Sequence, residues 1–124
     1  AHELVESGSA AQARSKPWVT SKNPPGLDWR QRGAVTPVKN QGQCGSCWTF
    51  ASAAAVESRW FLKSGELQEL SEQFILDCTP NPHACGGSGG CGGGTAKLAY
   101  ERLAELGGLP SEWTYPYLSV GGKT

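Results

Sequence analysis

The stretch that decides the fold covers residues 41–48 and reads Gln41-Gly42-Gln43-Cys44-Gly45-Ser46-Cys47-Trp48. Its first half is a polar loop, and an apolar pattern begins directly after it. Cys47 is therefore predicted in the first turn of a helix, where unpaired backbone N–H groups and the helix macrodipole favour a negative charge. Because the thiolate is the nucleophilic form of cysteine, Cys47 is a candidate nucleophile.

A second chemical group lies close by in the sequence, six residues before Cys47. The side-chain amide of Gln41 and the backbone N–H of Cys47 are two donors that can converge on one developing oxyanion. The same stretch also has the C-x-x-C form of a redox pair or of half a zinc site. The strand-helix-strand pattern expected around a redox pair is missing. A zinc site lacks a second C-x-x-C and would need ligands taken from Cys78, Cys85, Cys91 and His83. We expect no metal.

Three helices are predicted around this stretch, from about Cys47 to Lys63, from Ser71 to near Cys78, and from about Thr95 to Leu106. Ser46 and Ser71 are candidate N-caps, and Gly65 and Gly107-Gly108 follow the ends of two helices. The residues predicted to share one face of the first helix are Phe50, Ala54, Phe61 and Leu62, with three further alanines.

Composition excludes several classes of function. The chain has 124 residues, 11 Lys plus Arg and 11 Asp plus Glu, so its formal net charge is zero. Binding to a phosphate backbone needs clustered basic residues, so nucleic acid is not an expected partner. No run of about 18 apolar residues exists, so the chain is not predicted to span a membrane. The five cysteines and the absence of Met suggest a piece of a longer gene product.

Several motifs together resemble the papain family of cysteine proteases. Residues 44–48 match the signature around the nucleophile of papain and the cathepsins. Further landmarks follow in the order of that family: Asp28-Trp29-Arg30, residues 33–42, Leu70-Ser71-Glu72-Gln73, Asp77-Cys78, Gly92-Gly93-Gly94 and Tyr115-Pro116-Tyr117. The resemblance covers about residue 24 to the end of the chain.

The resemblance implies a mainly α fold with irregular loops, which is the left (helical) domain of the two-domain papain-like α+β fold. Residues 25–124 are expected to form this domain, incomplete at its C-terminus. Residues 1–24 are expected to be an N-terminal arm, interpreted as a possible remnant of a prosegment.

The resemblance also implies roles for individual residues. Cys47 would be the catalytic nucleophile and Gln41 the oxyanion-hole side chain, while Trp48 would pack in the core. Cys44 and Cys91 would form a disulfide. The residues expected to bind substrate are Gly45, Gly93, Gly94, Thr95 and Ala96, the last two shaping a side-chain pocket. No cofactor is implied.

The sequence leaves open the pairing of two cysteines and the identity of the catalytic base. Cys78 and Cys85 either pair with each other or have partners beyond Thr124, and we favour missing partners. Papain-like catalysis needs a His held by an Asn, about 130–150 residues after the Cys. His83 is interpreted as a solvated loop residue, and His2 is a still weaker candidate. The base is therefore expected in a second domain or chain.

The resulting hypothesis is a cysteine endopeptidase that cuts extended peptides through a thioester on Cys47. The right domain that would carry His and Asn is missing from this chain, so the chain alone is expected to be inactive and not monomeric. The alternative is a catalytically silent, papain-like subunit of a larger assembly. Disulfides indicate an oxidising location, such as the secretory pathway, a lysosome or vacuole, or the extracellular space.

Overall fold

The computed structural model describes residues 26–123, so the predicted arm lies outside the described residues. Three helices are present: α1 (Cys47–Ser64), α2 (Glu72–Cys78) and α3 (Ala96–Leu106). Short 3₁₀ turns span Gly90–Gly92 and Ser119–Gly121. Between residues 26 and 123 there is no named strand, only an isolated antiparallel bridge between Leu70 and Ser111. The prediction of a mainly helical fold is confirmed.

Three helix ends have the capping residue that the sequence predicts. The N–H of Gly65 bonds to the carbonyl of Phe61, and Gly65 has a left-handed φ of 80°, which glycine adopts without a steric penalty. The hydroxyl of Ser71 accepts a hydrogen bond from the N–H of Phe74 at 2.9 Å. Thr95 caps α3 in the same way, and Gly107 ends it. The boundaries are thus set by local chemistry.

Ser46 departs from its prediction as a capping side chain. It occupies the N-cap position of α1, but its side chain makes no capping hydrogen bond. Its hydroxyl lies instead 2.7 Å from the hydroxyl of Tyr117. The Ser46 side chain therefore bonds to a residue distant in sequence instead of to an N–H of its own helix.

The predicted apolar face of α1 is also not the buried face. Phe50 and Phe61 are only half-buried, and Ala54 and Leu62 are exposed. The buried residues of α1 are Trp48, Thr49, Ser52, Ala53 and Glu57. Burial of the two hydroxyl residues is tolerated because each donates to a backbone carbonyl, at 2.9 Å for Thr49 and 2.6 Å for Ser52.

The core lies where the three helices meet. Its buried residues are Cys44, Trp48, Ala53, Ile75, Leu76 and Ala99, with Leu103, Leu109, Cys91 and Tyr117 packed against them. The predicted core role of Trp48 is confirmed, and its indole N–H donates to the carbonyl of Gly90 at 3.3 Å. The start of α1 is therefore held from both sides.

A buried charge cluster fixes the loop before α1 to the first two helices. Nζ of Lys39 lies 3.3 Å from Oε1 of Glu57 and 2.6 Å from Oε1 of Glu72. Burial lowers the pKa of Lys39, but the two carboxylates outweigh burial and raise that pKa above its usual value. Glu57 also accepts the N–H of Leu70 at 2.7 Å. Polar contacts thus contribute, beside the apolar core, to holding the loop before α1 against α1 and α2.

No helix within residues 26–123 combines the length and the apolar character needed to cross a lipid bilayer.

Candidate active site

Cys47 is the first residue of α1, and its thiol is exposed and free of any disulfide. A helix leaves its first N–H groups without an intrahelical acceptor. Among the residues that the structure describes, the N–H groups of Cys47 and Trp48 have no backbone acceptor. The sulfur therefore stands beside unsatisfied donors, the environment predicted for a nucleophilic thiolate.

Gln41 lies in the same groove as Cys47. The groove has a volume of about 300 Å³, and its walls include Val38, Phe50 and Glu72. The side-chain Nε2 of Gln41 donates to the carbonyl of Cys44 at 2.8 Å, which leaves its second amide hydrogen for another acceptor. The structure therefore brings these two candidate residues together.

The loop before Cys47, residues 41–46, is covalently linked to the glycine-rich loop, residues 86–94. A disulfide joins Cys44 to Cys91, the pairing that the resemblance implies. The N–H of Gly45 donates to the carbonyl of Cys91 at 3.0 Å, and a Cβ atom on Gly45 would lie only 2.5 Å from that oxygen. Because Cys44 is bonded to Cys91, it does not form the redox pair with Cys47 that the C-x-x-C alternative requires.

The two candidate substrate-binding glycines differ in their backbone contacts. The N–H of Gly93 donates to Gly90 at 3.3 Å, and its carbonyl accepts from Gly89 at 2.8 Å. Within residues 26–123, the N–H and carbonyl of Gly94 have no backbone partner. A Cβ on Gly94 would lie 2.9 Å from the ring of Trp48, so only glycine fits there. Gly94 is thus the one of the two with free backbone groups.

Thr95 and Ala96 stand at the beginning of α3. Both are half-buried, and Oγ1 of Thr95 accepts the N–H of Leu98 at 3.4 Å as an N-cap. Neither residue lines the groove that holds Cys47 and Gln41. The groove of Cys47 and Gln41 therefore does not extend to these two residues.

The remaining cysteines and His83 are not part of this arrangement. Cys78 and Cys85 are free thiols, and Cys85 and His83 are exposed on a loop. The part of the chain that the structure describes contains no group of three or more His, Cys, Asp or Glu residues placed to hold a metal.

Sequence reasoning missed the position of Tyr117. Its hydroxyl donates to the carbonyl of Gln41 at 2.9 Å and lies 2.7 Å from the hydroxyl of Ser46. These contacts span 76 and 71 residues of sequence, so no local pattern indicates them. The only signal was the aromatic turn around Pro116.

Comparison with known proteins identifies the family. Residues 23–124 match the family described as Papain family cysteine protease. The chain belongs to the papain family. Mouse procathepsin L is 50% identical over 102 residues, which cover 82% of this chain and 29% of the mouse protein. The oryzain beta chain of rice is 42% identical over 121 residues, covering 98% of this chain and 25% of the rice protein. Cysteine proteinase 1 of maize is 46% identical over 105 residues, which cover 81% of this chain and 28% of the maize protein.

The papain-family match also fixes which part of the fold this is. The chain spans only 25% to 29% of the length of these three relatives. The three described helices agree with the helical left domain of the papain-like fold. The prediction of the fold class is confirmed.

Proposed function

We propose that this chain supplies the nucleophile-bearing half of a cysteine endopeptidase site. The observation that carries the proposal is the exposed thiol of Cys47, at the start of α1 and in one groove with Gln41. A nucleophile beside an unsatisfied helix N-terminus, with a side-chain amide facing the same space, suits acyl transfer.

In the proposed reaction, the sulfur of Cys47 attacks the carbonyl carbon of a peptide bond. The carbonyl oxygen becomes an oxyanion that accepts from the N–H of Cys47 and from the amide of Gln41. The C–N bond then breaks, the amine leaves with a proton, and a thioester remains on Cys47. Water hydrolyses the thioester, releasing the acid and the thiol. The family resemblance assigns the proton transfers to a His, held by an Asn, from the second domain.

Peptide binding is proposed on the glycine loop, at Gly94. An extended peptide can pair with free backbone groups as an added strand, and the absence of a side chain permits the close approach. The free N–H and carbonyl of Gly94 support this, whereas those of Gly93 are already bonded. Gly45, Thr95 and Ala96 would contact the same peptide. The Cys44–Cys91 disulfide favours an oxidising compartment of the secretory route, a lysosome or vacuole, or the extracellular space.

A peptide aldehyde labelled with ¹³C at the carbonyl tests the proposal. Addition forms one C–S bond to Cys47 and converts the carbonyl oxygen into a hydroxyl or oxyanion, which moves the ¹³C resonance. We expect an adduct resonance on the wild-type chain that is absent from Cys47→Ala, which keeps the free thiols of Cys78 and Cys85 and so reports their background. Gln41→Ala should weaken the adduct at least about tenfold through loss of a donor. Gln68→Ala is the matched control, because Gln68 is exposed and lies outside the groove.

A turnover assay completes the test. With a fluorogenic peptide, we expect no Cys47-dependent hydrolysis by the 124-residue chain alone. Hydrolysis should appear when a papain-family right domain carrying His and Asn is present. If the wild-type chain forms no aldehyde adduct on Cys47, the endopeptidase proposal is wrong and the silent-subunit alternative is favoured.

A further inference from the structure

The N-cap of α1 has an unusual partner. Serine is among the preferred N-cap residues because its oxygen accepts from an N–H of the first turn. Ser46 stands at that position and is 0% exposed, yet it makes no capping bond. Its hydroxyl is engaged with the hydroxyl of Tyr117 at 2.7 Å. The usual local cap has been given up for a contact with the far end of the chain.

Hydrogen counting fixes the direction of this contact. A tyrosine hydroxyl carries one hydrogen, and that of Tyr117 goes to the carbonyl of Gln41 at 2.9 Å, which is only an acceptor. Ser46 then donates to Tyr117, because the other acceptor near its hydroxyl, the carbonyl of Cys44, lies at the limiting distance of 3.5 Å. The side chain that reaches Tyr117 is turned away from the first-turn N–H groups of α1.

Tyr117 is itself held in place by independent contacts. Its ring meets that of Phe50 edge to face, with centroids 4.9 Å apart. Its backbone N–H donates to Oε1 of Glu112 at 2.7 Å. The hydroxyl is thus presented from a fixed ring rather than from a mobile side chain.

We propose that Tyr117 is a positioning residue that withholds Ser46 from capping α1 and so keeps the N–H of Trp48 available to a negative charge at Cys47. The proposal rests on the proposed function in taking Cys47 as the nucleophile. If Ser46 turned inward, its oxygen would accept from the N–H of Trp48, since the N–H of Thr49 already donates to the carbonyl of Ser46 at 2.9 Å. The thiolate and a nearby oxyanion would then lose stabilisation. The same hydroxyl also donates to the main-chain carbonyl of Gln41, so Tyr117 contacts the residue before Cys47 and the main chain of Gln41 at once.

Alkylation by iodoacetamide, resolved for each cysteine by peptide mass spectrometry, tests this. The step forms a C–S bond and releases iodide. Tyr117→Phe keeps the ring and removes only the hydroxyl. Ser46 can then cap by turning its backbone from φ -101° and ψ 13° to the extended conformation of the capping residues Ser71 and Thr95. We expect the alkylation rate of Cys47, relative to that of Cys85 in the same molecules, to fall about fivefold. A merely structural role of the Tyr117 hydroxyl would lower this ratio whether or not residue 46 can cap, so the variant that also removes the Ser46 oxygen separates the two roles.

The matched control is Tyr115→Phe. It removes the same atom from the same turn, where the hydroxyl bonds to Asp77 at 2.8 Å. We expect a Cys47 to Cys85 ratio within about twofold of wild type. The double variant Ser46→Ala/Tyr117→Phe removes the competing oxygen and should restore the ratio. Equal ratios in the two Tyr→Phe variants, or no restoration in the double variant, would overturn the proposal.

A second measurement does not depend on the folding of Tyr117→Phe. Ser46→Ala alone should leave amide hydrogen exchange at Trp48 within about twofold of wild type, because the hydroxyl does not cap. A marked rise in exchange would show that Ser46 caps the helix and that the proposal is wrong. Both measurements remain valid if the aldehyde fails to add to Cys47, so failure of the proposed function is distinguishable.

Discussion

Nζ of Lys39 lies 2.6 Å from Oε1 of Glu72, a carboxylate that is only 2% exposed. The same ammonium group contacts Glu57, so one cation serves two buried carboxylates from two helices. Buried charges of this kind depend on each other, because removal of one leaves another without compensation in a medium of low polarity. This relationship leads to the first prediction.

Replacement of Lys39 by Met should destabilise the chain by about 3 kcal/mol, since Glu57 and Glu72 would remain buried without a counter-charge. Urea unfolding followed by circular dichroism measures the change. Lys97→Met is the matched control, because the Lys97–Glu101 pair is exposed to solvent and its loss should cost less than about 1 kcal/mol. Similar losses in the two variants would contradict the role given to Lys39.

Glu112 predicts a dependence of stability on pH. Burial raises the pKa of Glu112 above its usual 4.5, the N–H of Tyr117 opposes this, and the charge of Glu72 raises it further. Within residues 26–123, Oε2 of Glu72 and Oε2 of Glu112 are buried without a hydrogen-bond partner. A proton on Glu112 would provide one for both. The folded chain then binds this proton more tightly than the unfolded chain does.

The sign follows from that difference in proton affinity. The stabilisation by protonated Glu112 is fully present below pH 4.5 and is lost as pH rises through the folded-state pKa. We expect the urea midpoint of wild type to fall over this range relative to that of Glu112→Gln, which keeps an oxygen for Tyr117 and cannot titrate. An identical pH dependence in the two proteins would refute the assignment.

The Cys44–Cys91 disulfide closes a loop with a sequence separation of 47. Restriction of the unfolded chain by such a loop stabilises the fold by about 4 kcal/mol in the chain-entropy model. The double variant Cys44→Ala/Cys91→Ala should therefore lose about that much in urea unfolding, whereas Cys85→Ala, at a free exposed thiol, should lose little. A loss no larger than that of the control would be inconsistent with the disulfide.

Gly45 predicts a steric effect where the two loops touch. A methyl group there would lie 2.5 Å from the carbonyl oxygen of Cys91, and backbone atoms cannot easily move away. Gly45→Ala should lower stability by about 2 kcal/mol, measured by thermal unfolding. Gly108→Ala is the control, since a methyl group there meets nothing within 4 Å. Separation of the loops in Gly45→Ala should also slow formation of the aldehyde adduct.

Local features of the structure were predictable from the sequence. The start of α1 at Cys47, the cap at Ser71 and the glycines after α1 and α3 depend on residues within a few positions of each other. Short-range sterics and hydrogen bonds decide such features, so a sequence pattern suffices. The candidate nucleophile and its helix were accessible for the same reason.

The buried face of α1 was not predictable from its apolar pattern. Glu57 is buried because Lys39 arrives from 18 residues earlier to neutralise it, and Phe50 stays half-buried at the groove. A periodicity argument treats a charge as a marker of the surface. It fails where a distant partner makes burial of that charge favourable.

The sequence by itself determined the helices, the candidate nucleophile Cys47 and the relation to the papain family. Only the tertiary structure decided that the hydroxyl of Ser46 faces Tyr117 rather than its own helix, and that Gly94 rather than Gly93 keeps free backbone groups. The physical reason is that hydrogen-bond donors and acceptors are claimed by whichever partner packing brings within about 3 Å. The local sequence indicates one possible hydrogen-bond partner for each polar group, and tertiary contacts decide which partner that group has.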